Sequence, residues 1–254
     1  MALITVEDLA ELDDEQLDDD ITDNSEPMEE EENDDRLLAH WRSVGRQHQV
    51  SVPTEMRGPI SEMTQRNQEV EREQVPYNVV SRREKMGEVL FEERVYPPGK
   101  WACITKSEKM YEQSISMAFM KIMRFICKES SVGRYLGMTV PVVAEFQLTE
   151  TGTEFKKDVV TAYYLPAQFQ NNPPQPTDNE ISISHRDSIR VISRVFYGTT
   201  TEETIQREIQ LLWELLGDAQ GVQRHTYMVA TYENPGVPGR RNEIWFIRHA
   251  DQDA

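Results

Sequence analysis

The chain has 254 residues, with 45 Asp and Glu against 27 Lys and Arg. The imbalance is local: residues 1–35 hold 17 of the acidic side chains and no basic one, which leaves 28 acidic against 27 basic in residues 36–254. An acidic end repels a phosphate backbone and no basic stripe offsets it, so nucleic acid is excluded as an expected partner, and no apolar run reaches the ~18–20 residues of a membrane span.

Residues 1–35 are expected to be a disordered acidic tail, because little apolar surface is present to offset chain entropy. Leu3, Val6, Leu9 and Leu12 recur every three residues there, a spacing that chance or a frayed helix explains as simply as a partner helix. The N-terminus lacks the basic flank and unbroken apolar core of a signal peptide. Residues 36–75 are polar and patternless and are expected to form a linker, with a short helix around Leu37–Trp41 and two solvated histidines, His40 and His48.

From Pro76 the texture changes, and residues 76–250 are expected to form the folded domain. Val79-Val80, Val89 to Phe91 with Val95-Tyr96, and Trp101 to Thr105 predict strands. Tyr111, Ile115, Phe119, Ile122 and Ile126 step by three or four and predict a helix. Val140–Leu148 and Val159–Leu165 read as strands. A proline-rich loop at 171–176 follows, and then the order repeats. Ile181 to Ile183 and Ile189 to Phe196 predict strands. Thr200 with Glu203 reads as a capping box before the stripe Ile205, Ile209, Leu212, Leu216, which Gly217 ends. Tyr227–Tyr232 and Glu243–Ile247 close the second half. Two such units imply one pseudo-symmetric α+β domain.

No catalytic set is visible: there is no GxSxG, HExxH, P-loop or GxGxxG. His185, His225 and His249 read as surface or edge-strand residues. Cys103 and Cys127 make no zinc pattern and read as reduced cytoplasmic thiols. The chain is therefore expected to be neither an enzyme nor a metal-binding protein. The first helix of the domain is the unusual element. Met117, Phe119, Met120, Ile122, Met123, Phe125 and Ile126 make it apolar nearly all round, more than one sheet face requires. Either both flanks pack in the core or against the tail, or one is a platform for a flat ligand, which Met and Phe suit. Lys121 and Arg124 lie at its margin.

Four separated segments resemble the SOUL/heme-binding-protein family: Phe91–Arg94 with Gly99–Ala102, Gly137–Pro141, the loop Leu165–Pro176, and Gly239–Trp245. The resemblance implies a distorted antiparallel β-barrel of two βαββ-type repeats with two flanking helices. It implies a soluble, cytoplasmic buffer or carrier that binds heme or another tetrapyrrole without catalysis. By position it assigns Phe119, Ile122 and Met123 as apolar contacts, Arg124 as a propionate partner, and Arg240 or Arg241 as the second cation. Members of the family carry an arginine where this chain has Ser116, a lysine where it has Gly236-Val237, and an axial histidine where it has Val95. The resemblance therefore implies binding by apolar burial and propionate pairing without a strong axial ligand. A monomer is the expected state. A second expectation is an interaction scaffold whose acidic tail recruits a basic protein partner.

Overall fold

The structure, a computed structural model, describes residues 26–69, 72–152, 154–217, 219–233, 237 and 239–249. The chain divides into two units, Met1–Asn33 and Asp34–Ala254. The leucine-spaced stretch at 3–12 lies outside the described residues.

Three helical pieces open the second unit: α1 (Glu26–Gln47, which begins in the first unit), a 3-10 turn (Thr54–Met56) and α2 (Arg57–Glu69). Then come β1 (Glu73–Gln74), β2 (Asn78–Lys85), β3 (Glu88–Tyr96), β4 (Gly99–Lys106), α3 (Tyr111–Cys127), β5 (Thr139–Val140), β6 (Val142–Leu148) and β7 (Phe155–Tyr164). The second half is β8 (Ser182–Arg186), β9 (Ile189–Tyr197), α4 (Glu202–Leu216), β10 (Val222–Thr231) and β11 (Arg241–Arg248). β1 and β5 form a short parallel pair, and the other nine strands form one antiparallel sheet in the order β2-β3-β9-β11-β10-β6-β7-β4-β8.

That order contains the expected duplication. In one half β4-α3-β6-β7 pairs as 4-7-6, in the other β9-α4-β10-β11 pairs as 9-11-10, and β6 meets β10 at the centre. The strands that open the halves are exchanged: β3 pairs with β9, and β8 pairs with β4. Closure into a barrel is not observed. β2 and β8 are the two edges, and no described pairing joins them.

Helices α3 and α4 cap each other. The Tyr111 amide at the start of α3 donates to Glu202 Oε1 at 2.9 Å, and the Glu202 amide donates to Glu112 Oε1 at 2.9 Å. Each N-terminus thus gains a carboxylate on its unpaired amides and on the positive end of its dipole. The capping box of α4 lies one residue beyond the expected one: Thr201 accepts from the Thr204 amide, and the Thr204 hydroxyl accepts from the Thr201 amide. Gly217 does close α4, at φ 61°.

Apolar side chains bury in three clusters. One lies between α4 and β6, β9, β10 and β11, with Ile205, Ile209, Leu212 and Phe246 at its centre. A second fills the opposite face of the sheet around Tyr96, Trp101, Tyr164 and Trp245. The third packs Ala118, Ile122, Phe125 and Ile126 of α3 on Ala102, Ile104 and Tyr163 of the sheet.

This third cluster corrects the reading of residues 36–75. They are not a linker. Leu38 and Trp41 of α1, Val52, and Met56, Ile60 and Met63 are all buried in it. Gly45 makes the return after α1 possible: a Cβ there would stand 2.8 Å from both Val50 O and Val52 Cγ2, so a side chain would push the following turn away.

The sheet also carries a buried ionic cluster. Glu243, fully buried, accepts through Oε2 from Arg94 (2.9 Å), Ser193 (3.0 Å), Tyr232 (2.9 Å) and Trp245 (2.8 Å), and through Oε1 from Arg241 at 2.7 Å. Arg94 also grips Glu92, with Nε at 2.8 Å and Nη2 at 2.6 Å from Oε2. Burial alone would raise the Glu92 carboxyl, but hydrogen bonds and charge from Arg94 and Arg82 outweigh it and hold it below its ordinary value of 4.5. A carboxylate depressed in the fold lends stability above its unfolded value and loses it as pH falls through the folded one. Urea unfolding followed by circular dichroism should therefore show stability level near neutrality and falling below about pH 4.5, with a shallower acid slope in Glu92→Gln.

Candidate functional site

A cavity lies where α3 meets α1 and the sheet. Measured out to its mouth, with the open space there included, it amounts to about 1100 Å³. Its floor is one flank of α3: Ile115, Ser116, Phe119, Met120 and Met123. The other flank of that helix, with Ile122 and Phe125, is buried against the sheet. The helix is apolar nearly all round because it serves two surfaces.

The N-terminal segment forms the facing wall. Trp41 of α1 lies parallel to Phe119, with centroids 6.2 Å apart and planes 6° from parallel. In the turn that follows α1, His48 Nδ1 sits 2.7 Å from Ser116 Oγ on α3. Burial lowers the His48 pKa from its ordinary 6.5, and the charge of Arg240 adds to this while Glu112 opposes it. The imidazole is accordingly neutral around pH 7.

Charge is sparse: Arg72, Glu233 and Arg240 are the charged side chains among the residues that line the cavity. Arg72 donates to the carbonyl of Tyr232. Arg240, 6 % exposed, donates from Nη2 to Thr200 Oγ1 at 3.2 Å. Burial pushes its guanidinium down from the ordinary value, Tyr111 and Glu233 oppose that shift, and it remains a cation. A pocket with mostly apolar walls, two arginines and one neutral imidazole suits a flat apolar ligand that carries carboxylates. Among the described residues no group of three or more His, Cys, Asp or Glu could hold a free metal ion.

The family model described as SOUL heme-binding protein matches residues 72–247. The chain belongs to this family. Its sequence is 32% identical to heme-binding protein 1 of Sus scrofa over 175 residues, which is 68% of this chain and 91% of that one. With heme-binding protein 1 of Xenopus laevis it shares 33% over 172 residues, covering 67% and 90%. With heme-binding protein 2 of Homo sapiens it shares 25% over 160 residues, covering 62% and 78%. The SOUL match begins at Arg72, so the segment that walls the cavity from α1 to α2 lies outside it.

Of the six residues assigned from the family, Phe119, Met123 and Arg240 line the cavity. The other three stand elsewhere. Ile122 is fully buried against the sheet. Arg124 bonds Glu129, with Nε at 2.8 Å from Oε1. Arg241 bonds Glu243 and lies over the Tyr232 ring, 4.4 Å from its centroid. Sequence reading missed Arg72, Trp41 and His48. Nothing local marks them, because each reaches the cavity through contacts far along the chain. His185, His225 and His249 are exposed, as expected. Cys103 and Cys127 are buried and unbridged. The segment Leu211–Gly217 packs Leu212 in the core and ends at the α4 cap. Among the described residues no helix is long and apolar enough to cross a membrane.

Proposed function

We propose that this protein binds a tetrapyrrole, heme or another porphyrin, reversibly in the cavity between α3 and α1, as a buffer or carrier. The observation that carries this reading is the pairing of an apolar α3 flank with two arginines, Arg72 and Arg240, in the lining of the same cavity. Phe119, Met120 and Met123 offer the macrocycle an apolar surface, and Arg72 and Arg240 meet its propionates. Trp41 and Phe119 are already stacked, so the ligand enters by separating that pair. The donor set also suits an iron porphyrin, since one imidazole and several thioethers face the cavity.

Burying ~300 Å² of ligand surface at ~25 cal/mol/Å² contributes roughly 7 kcal/mol before association costs. A micromolar-range dissociation constant follows. Spectral titration of the full chain with heme and with metal-free protoporphyrin tests this. Saturable binding of either is expected. Phe119→Asp, on a half-buried position, should weaken it by at least about tenfold, or ~1.4 kcal/mol. Arg240→Gln should weaken it about three- to tenfold, from the loss of one charge-assisted hydrogen bond. If binding is unchanged in both variants, the ligand lies elsewhere.

The charge of residues 1–35 favours a second, separable property, salt-sensitive recruitment of a basic protein partner. Deleting residues 1–25, which removes 10 of the 17 acidic side chains in residues 1–35, should weaken that association while leaving porphyrin titrations intact.

A further inference from the structure

We infer that His48 is an axial ligand to the iron of a heme bound in this cavity, supplied by a segment outside the family-matched residues. The inference deepens the proposed function and rests on it.

Two observations carry it. The first is placement. The chain has five histidines. His40, His185, His225 and His249 are exposed, and His48 alone lines the cavity, opposite the Phe119–Met123 flank. The second is orientation. His48 Nδ1 lies 2.7 Å from Ser116 Oγ, and in the tautomer in which Nδ1–H donates that bond, Nε2 carries the lone pair. No described residue bonds Nε2. Histidines that hold metals are commonly fixed through their other nitrogen in this way, which sets both tautomer and ring direction.

Ser116 then has a positive role: a hydroxyl at that place on α3 orients the imidazole and is a positioning residue. The thioethers of Met120 and Met123 line the same cavity. The consequence is selectivity. Apolar burial and propionate pairing treat heme and metal-free porphyrin alike, whereas an imidazole distinguishes them.

The test uses the full chain with two ligands, heme and metal-free protoporphyrin, in wild type, His48→Ala and Ser116→Ala. In the wild type, heme should give a low-spin spectrum. His48→Ala should lose the low-spin signature and bind heme at least about tenfold more weakly, the low end of what loss of an outer-shell partner alone costs a metal site. Its affinity for metal-free protoporphyrin should stay within about twofold, which also reports that the cavity is intact. Added imidazole should restore the low-spin spectrum. Ser116→Ala should weaken heme binding about tenfold without abolishing the signature. A low-spin spectrum that persists unchanged in His48→Ala overturns the inference and leaves the proposed function standing. Binding of neither porphyrin by the wild type overturns both.

Discussion

Arg94→Ala should destabilise the protein by about 3–5 kcal/mol, among the largest effects expected of a single substitution here. Arg94 is 3 % exposed, and its guanidinium touches two carboxylates, Glu92 and Glu243, of which the second is fully buried. Its plane also lies over Tyr77, 4.5 Å from the ring centroid. Truncation leaves Glu243 with its neutral donors and Arg241 but without its nearest buried cation. For a domain of this size the loss lowers Tm by roughly 2–4 °C per kcal/mol. The partner test is Arg94→Met combined with Glu243→Gln. With both charges gone, the double variant should be less destabilised than the sum of the singles, by a coupling of about 0.5–3 kcal/mol. A loss under about 1 kcal/mol for Arg94→Ala, the range of an ordinary surface change, would mean that water or neighbouring donors replace it, and that the cluster does not hold β3 to β11.

Ile60→Ala should cost about 2–4 kcal/mol, although the residue stands twelve positions before the family match begins. It is 1 % exposed and packs in the same cluster as Ile122, Met123 and Phe125 of α3. A residue in a tethered linker would change stability by no more than about 0.5 kcal/mol. Urea midpoints at constant m-value separate the two outcomes cleanly. A small effect would make α2 a loosely docked addition, and the cavity would then lose its wall in solution.

The domain from Pro76 onward is legible in the sequence because its elements announce themselves. α3 and α4 repeat apolar residues every three or four positions over four turns, and the strands are bounded by Pro, Gly and Asn turns. The family segments then fix order and repeat. Strand closure is not legible, because pairing between distant edges leaves no local mark. Residues 36–75 mislead for a related reason. α1 buries Leu38 and Trp41, and α2 buries Ile60 and Met63. Two apolar positions per helix, amid Arg, Gln and Glu, are too few to set a period, and what stabilises those helices is a cluster built by α3 and the sheet. The same reasoning explains the site. Phe119, Met123 and Arg240 are reachable through family position, whereas Arg124 and Arg241 are the same residue type aimed at nearby carboxylates. His48 gives no local signal because its contact with Ser116 spans 68 residues.

The exchange of β3 and β8 between the halves has a consequence for how the chain comes together. Half one cannot complete its own sheet, since its opening strand pairs with β9 and its β4 waits for β8. On a ribosome the first half, through β7, would therefore emerge with two unmatched strand edges, and docking would be delayed until the later strands follow. Pairings so far apart in sequence are slow to form, and the exposed edges invite association with other nascent chains. Neither half should persist as an autonomous foldon; the two melt in one cooperative transition, and excising either would yield an aggregating fragment rather than a smaller protein.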